Sequence, residues 1–396
     1  MTTYDVIIIG GGPGGSVLGT ILSKANLKVA LIEKETFPRF RIGESLLPNT
    51  MDIFKEIGFF DKLNSGKYIP KYGAQFVDTR KNEEIYFDFS NSPNFRNRQA
   101  FEVPRADFDS DLLDHAQESG VTIYQPEKVV SIDYEDSSVL VHTDKQTLKA
   151  SYVADATGRL AFIGNSMKMR HANKDLVNNV AVFAHFENVK RKAGRREGDI
   201  IIGVLPNNAW SWTIPFQGNR TSIGIVSESQ YLDKDALLDN CIQDTLTCCP
   251  IYADMLENAK RISEVTVLAN YSYSCESMVG QRWIALGDAA SFLDPIFSSG
   301  VHVSVSSAKF ASEVIISALK NNSPINTPEL GLAYEKKLRK GVTRFHLLIR
   351  LFYDTDFVTD MTKILTRPHS CRAFTDAIAG DVWDDENIMF TLGALK

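Results

Sequence analysis

The sequence predicts an α/β protein: a parallel, Rossmann-like lobe split along the chain, an antiparallel β-sheet lobe interleaved with it, and a helical C-terminal region. Three observations lead there. The chain opens with the continuous β-branched run Tyr4–Ile9, a glycine-rich turn, a helical pattern from Pro13 to Ala25, and a second apolar run, Lys28–Glu33. Unbroken apolar runs suit strands of a parallel sheet covered on both faces. From about Ile69 to Val103 short aromatic alternations take over, such as Gln75-Phe76-Val77 and Ile85 to Phe89. That period of two belongs to strands with one covered face. The last seventy or so residues read as mostly helical.

The elements between follow in order. Ala106–Glu118 is helical, and Val121–Asp155 returns to short strands with polar turns. Asn178–Val226 is strand-rich, Trp283–Leu286 is a short apolar strand, and a helix runs from about Val301 to Leu319. The Rossmann-like lobe is therefore expected in three pieces, 1–65, 100–160 and 275–325, with the second lobe at 66–99 and 161–274 and the helical region at 326–396. No Pro/Gly/Ser-rich linker intervenes, so the lobes should share a large interface.

Composition narrows the class. Hydrophobic residues make up 44% and charged residues 23% of 396, the balance of a folded globular chain. A net charge of −6 argues against nucleic acid as a main partner. Two short basic runs, Lys190–Arg196 and Lys336–Lys340, read first as solvated faces. The five cysteines are an odd number, and adjacent Cys248 and Cys249 do not make a metal-ligand spacing. Reduced thiols and no metal are expected. No leader-like start and no stretch of ~18 apolar residues is found, and the expected location is the cytoplasm.

The first chemical motif is Gly10-Gly11-Gly12-Pro13-Gly14-Gly15 between a strand and a helix. It satisfies GxGxxG in the context that a dinucleotide requires. Gly10 permits the tight turn, Gly12 lets backbone approach a pyrophosphate, and Gly15 allows the helix to pack on the strand. The helix start then offers free N–H groups to phosphate. Glu33, eighteen residues past Gly15, can accept hydrogen bonds from ribose hydroxyls. The competing reading is a glycine-rich turn that binds nothing.

Three later segments separate FAD from NAD. They are Val103-Pro104-Arg105 with Phe108-Asp109, then Asp155-Ala156-Thr157-Gly158-Arg159, then Gly287-Asp288-Ala289-Ala290. In this order, over roughly residues 1–320, they resemble the fingerprints of the p-hydroxybenzoate-hydroxylase-like FAD superfamily. The resemblance implies Arg105 near the flavin diphosphate and Asp288 on the ribityl chain. It also puts Ser16, Arg41, Ser45, Pro295, Gly300 and Val301 among the cofactor contacts.

Within that superfamily the chain resembles the flavin-dependent halogenases of the pyrrole and phenol branch. Trp210-Ser211-Trp212-Thr213-Ile214-Pro215 fits their WxWxIP signature. The resemblance places Trp210, Trp212, Ile214 and Pro215 beside the flavin, where the segment hinders monooxygenase chemistry. Read without it, two core tryptophans share one strand face. Asp294-Pro295-Ile296-Phe297-Ser298-Ser299-Gly300-Val301 leads into a helix. There the resemblance implies a chloride or bromide site at the Ser299 and Gly300 amides, with Ser298 lining the exit. An ordinary helix N-cap is the alternative. Lys71, in Pro70-Lys71-Tyr72-Gly73-Ala74, matches the segment carrying the family's active-site lysine, with Lys67 its nearest rival.

The implied reaction is halogenation of an electron-rich aromatic ring by FADH2 and O2. It runs through a C4a-hydroperoxyflavin and hypohalous acid relayed to Lys71, with FADH2 supplied by a separate flavin reductase. Tryptophan halogenases carry a glutamate where this chain has Phe297, so a self-activating pyrrole or phenol is the implied substrate. Several members of that branch act on carrier-protein-tethered rings, and Lys190–Arg196 is one conceivable docking patch for an acidic carrier. Pocket residues from the helical region are His302, Ser306, Phe345 and Phe352; for His302 a packing role is the stronger reading. Two other enzymes share the FAD fingerprints, an aromatic monooxygenase and an isoprenoid-type flavin reductase. A non-enzymatic flavin-binding module would leave Lys71, WxWxIP and the Ser-Ser-Gly segment unexplained.

Overall fold

A computed structural model describes residues 2–92, 98–172, 179–231, 241–269 and 273–391. Strand Thr3–Ile9 lies at the centre of the first sheet, parallel to Val29–Ile32 on one side and Thr147–Asp155 on the other. Thr122–Tyr124 extends the sheet in parallel beyond Val29–Ile32. The far edge of Thr147–Asp155 is shared. Its first half pairs antiparallel with Val139–Thr143, and its last three residues pair in parallel with Trp283–Ala285. Val6, Ile7 and Ile8 are wholly buried, since helices or loops cover both faces of the strand; this is why the run does not alternate.

Helix Pro13–Lys24 packs against helix Ser299–Asn321. A Cβ at Gly14 would fall 2.5 Å from Ser304 Oγ, so glycine there sets how closely the two helices approach. The first residues of both helices line the cavity described below.

The second sheet has the order Asn179–Glu187, Arg220–Glu228, Trp210–Pro215, Ile200–Val204, Gly73–Asp78, Glu83–Asp88. Lys260–Arg261 and Thr266–Ala269 share its outer edge. The expected antiparallel arrangement holds at every junction but one: Ile200–Val204 runs parallel to Gly73–Asp78. Those two strands come from separate segments of the chain. No hairpin joins them, so no turn imposes opposite directions.

Side chains alternate across this sheet. Phe76, Ile202, Trp210, Trp212 and Ile214 join the main core shared with the first lobe. Val77, Ile201, Ile223 and Ile225 point the other way, into a separate cluster with Ile242, Leu246 and Tyr252 of two short helices, Cys241–Thr247 and Pro250–Leu256. The C-terminal helices Ala333–Asp354, Phe357–Leu365, Pro368–Ile378 and Ile388–Thr391 close over the first face. Between the lobes lies a small patch in which Ile69–Lys71 pairs with Ala100–Glu102, which in turn bridges to Ser45. Among the described residues no helix is long and apolar enough to cross a membrane.

Candidate active site

A cavity of about 1100 Å³ runs between the lobes. At one end is the glycine turn. Gly10 has φ +107°, and a Cβ there would lie 2.4 Å from Ala156 O. A Cβ at Gly15 would fall 2.0 Å from Gly10 O. Gly12 differs: its Cβ would meet only Arg39 Nη2, at 3.6 Å, and the residue lines the cavity. Two glycines are thus closed by packing and one is left open to a ligand. Ser16 lies off the cavity, its hydroxyl donating to Gly11 O at 3.1 Å.

Glu33 follows the second strand and lines the cavity. Its Oε2 accepts from Gly11 N–H at 2.7 Å and its Oε1 from Glu35 N–H at 2.9 Å. Arg105 also lines the cavity, its guanidinium forked onto Asp109 at 2.7 and 3.0 Å with Nη1 donating to Ile42 O. Arg39 bonds the same carboxylate at 2.8 Å. Asp109, with Glu35 also on Arg39, thus aligns two cavity-lining cations where a diphosphate would sit. Sequence reading missed Arg39; the only available signal was an arginine soon after the second strand. Arg41 lies half exposed at the rim, paired with Glu35. Asp288 faces the cavity, and burial pushes its carboxyl up to about 7 against the pull of Arg105 and Arg159.

The other end is built by the tryptophan strand and the long helix. Trp210, Trp212 and Ile214 line the cavity; Pro215 does not. The two indole rings sit 5.7 Å apart on one face of the strand. Trp212 Nε1 donates to Ser222 Oγ, and Trp210 Nε1 to the Tyr353 hydroxyl, which donates in turn to Asp294 Oδ2 at 3.0 Å. Burial pushes the Asp294 carboxyl up to about 6. Pro295, Ser298, Ser299, Gly300 and Val301 all line the cavity. Ser298 occupies the N-cap position in a left-handed conformation (φ +57°), with no side-chain cap onto the helix. A Cβ at Gly300 would meet nothing within 4 Å. The first amides of a helix of 23 residues are thus uncapped at the cavity wall, the setting that favours a small anion.

Lys71 is 1% exposed. Its Nζ donates to Ser45 Oγ at 2.8 Å and Leu46 O at 3.1 Å. Ser45 lines the cavity, so Lys71 reaches it through one hydroxyl. Burial pulls the Lys71 ammonium below its ordinary range, against Glu102 and Asp199. Lys67, by contrast, is exposed and clasped by Asp111.

The four residues expected from the helical region do not line this cavity. Phe345 is wholly buried and Ser306 nearly so. His302 is pinned between Thr50 Oγ1 and Gly380 O, each at 2.8 Å, and burial pushes it down to about 4. Phe352 packs with Phe76, Phe297 and Phe357 in an aromatic cluster. Sequence reading also missed Glu44, a buried cavity carboxylate bonded to His185 Nε2 at 3.0 Å. The basic run lies mostly on a solvated face, as first read, and is paired there. Lys190 pairs with Asp254, Lys192 with Glu84 and Arg195 with Asp88, while Arg191 and Arg196 donate to Phe216 O and Gln75. It is not a free cationic patch. Among the described residues no cluster of acidic, histidine or cysteine side chains could hold a metal ion.

The glycine turn, the uncapped helix starts and the paired arginines define a flavoprotein, and the family model for an FAD binding domain matches residues 3–340. The chain belongs to the flavin-dependent halogenase family. It is 31% identical to a 1H-pyrrole-2-carbonyl-(peptidyl-carrier protein) chlorinase of Pseudomonas fluorescens, over 97% of this chain and 91% of the relative. Among solved structures, the flavin-dependent brominase Bmp2 superposes with a TM-score of 0.87 at 26% identity, covering 97% of this chain and 95% of that one. A flavoprotein/dehydrogenase from Cytophaga hutchinsonii superposes with a TM-score of 0.88 at 27% identity, covering 98% and 95%.

Proposed function

We propose that this enzyme chlorinates or brominates an electron-rich ring, a pyrrole or a phenol, with reduced FAD and dioxygen. The observation that carries the reading is that the uncapped Ser299 and Gly300 amides and the hydroxyl bonded to Lys71 line one cavity. The cavity fits FAD: Gly12 leaves backbone open where a Cβ would protrude, and Asp109 aligns Arg39 and Arg105 beside it. Bound in reduced form, FAD supplies the two electrons that activate dioxygen for halide oxidation.

The protein's part is positioning and exclusion of water. Gly12, the first amides of helix Pro13–Lys24 and the two arginines hold the diphosphate. Glu33 takes the adenosine ribose and Asp288 the ribityl chain. Trp210, Trp212 and Ile214 wall the ring side. The Ser299 and Gly300 amides hold the halide, and Ser298 lines the way out. Lys71, reaching the cavity through the Ser45 hydroxyl, polarises hypohalous acid and directs its halogen to substrate. Phe297 supplies no carboxylate, so the ring must stabilise its own cationic intermediate. A pyrrole-2-carbonyl group on a peptidyl carrier protein is the favoured substrate, by similarity to the Pseudomonas relative. A separate flavin reductase provides reduced FAD.

The test combines the protein, FAD, an unrelated flavin reductase, NADH and chloride or bromide. Acceptors are free and carrier-bound pyrroles and phenols, read by mass spectrometry. A halogen isotope pattern that vanishes in Lys71→Ala is expected. Hydroxylated product formed equally well without halide would make the enzyme a monooxygenase.

A further inference from the structure

Glu102 has no part in the scheme above, yet it is wholly buried beside Lys71. Its Oε1 accepts from Ser45 Oγ at 3.1 Å, and the same Ser45 oxygen accepts from Lys71 Nζ at 2.8 Å. Its Oε2 has no hydrogen-bond partner. The backbone builds this contact deliberately. Leu46 N–H donates to Phe101 O and Val103 N–H to Glu44 O, so residues 44–46 lie along 101–103, and Ala100–Glu102 pairs with Ile69–Lys71 on the other side. Three short extended segments thus deliver Ser45, Glu102 and Lys71 to one dry point at the cavity edge.

A buried carboxylate with one oxygen unpartnered is costly unless a charge compensates it. The other neighbouring carboxylates already have their partners. Asp199 is satisfied by Tyr72 N–H, Gly73 N–H and the Tyr86 hydroxyl, with Arg196 alongside. Glu44 has His185. Lys71 is the cation left for Glu102. Conversely, among the described residues Nζ meets a hydroxyl, one carbonyl and, at 5.6 Å, the Phe89 ring. Of the two nearby carboxylates that favour its charged form, Glu102 has the larger effect, Asp199 being the other.

Resting on the reading of Lys71 as the halogenating lysine, we propose that Glu102 is its positioning residue: through the Ser45 bridge it fixes the direction of Lys71 at the cavity edge, and in its ionised form it favours the lysine's charged state. In a bridge of this polarity the ammonium donates to Ser45 and Ser45 donates to the carboxylate, so removing the carboxylate frees the hydroxyl to rotate. Lys71 then loses both its charge partner and its aim.

The experiment follows the Lys71 side chain by NMR of the FAD-loaded protein carrying labelled lysine, assigned by its absence in Lys71→Ala and titrated from about pH 6 to 10. In Glu102→Gln the Lys71 midpoint is expected to fall by about one pH unit or more, and in Glu102→Asp to stay nearer the wild-type value. Product formed per flavin oxidised should fall roughly ten-fold in Glu102→Gln where that limb governs the rate. An unmoved midpoint overturns the proposal whatever the activity. Halogenation that survives Lys71→Ala instead overturns the role of the lysine and leaves the titration result standing by itself. Should Glu102→Gln not fold, Ser45→Ala keeps both charges and removes the bridge. Its midpoint should also fall, and a wild-type midpoint there overturns the proposal.

Discussion

At Gly15 a methyl group would lie 2.0 Å from a carbonyl oxygen; at Gly300 it would meet nothing. The two glycines read alike in sequence and serve differently. Gly15→Ala is expected to cost about 1–3 kcal/mol as the helix is pushed off its strand, with FAD binding lost. Gly300→Ala should stay within about 0.5 kcal/mol of wild type. Urea denaturation and flavin fluorescence measure both. His302 makes a different kind of prediction. Burial depresses it from 6.5 to about 4 against the opposing bond to Gly380 O, so the unfolded chain takes up the proton first as pH falls. The penalty is absent above 6.5, grows through the window from 6.5 to 4, and reaches about 3 kcal/mol at its foot. His302→Gln should be less stable at neutral pH yet flatter across that window in urea titrations at successive pH values.

Strand Trp210–Pro215 and helix Ala333–Asp354 come from distant parts of the chain and are tied by one hydroxyl. Tyr353 accepts from Trp210 and donates to Asp294, whose next neighbours lead into the Ser298–Gly300 turn. Tyr353→Phe leaves Trp210, Asp294 and Asn179 each short of a bond inside the protein, and an expected loss of about 1–3 kcal/mol follows. Chemical denaturation checks the figure. Halide dependence of product formation checks whether the turn has loosened, since a displaced Asp294 would shift the amides that follow it. Packing of WxWxIP on one strand face was legible from its period. Its link to Tyr353 was not, because 143 residues separate the two partners.

At the scale of the molecule, the cavity draws its walls from segments between Ile9 and Val342. Filling it should tighten both lobes at once. FAD at a hundred times its dissociation constant is expected to stabilise the folded chain by about 2.7 kcal/mol, seen as a single rising transition in calorimetry. Two separate transitions, with only one of them responding to FAD, would show that the lobes unfold independently.

The order of elements, the glycine turn, the tryptophan strand and the Ser298–Gly300 helix start were all determined by the sequence itself. Each is a local feature, decided by side-chain period, by φ freedom or by backbone amides that lie next to one another. The tertiary structure alone decided the parallel pairing of Ile200–Val204 with Gly73–Asp78, and which side chains share a point in space. Arg39 with Asp109, Glu44 with His185, and Lys71 with Ser45 and Glu102 are partners 26 to 141 residues apart. The exposed cations of the basic run likewise pair on the surface with acidic side chains from distant segments. Long-range partners are chosen by how the chain crosses itself and by which buried charges must be compensated, and no local pattern encodes that choice.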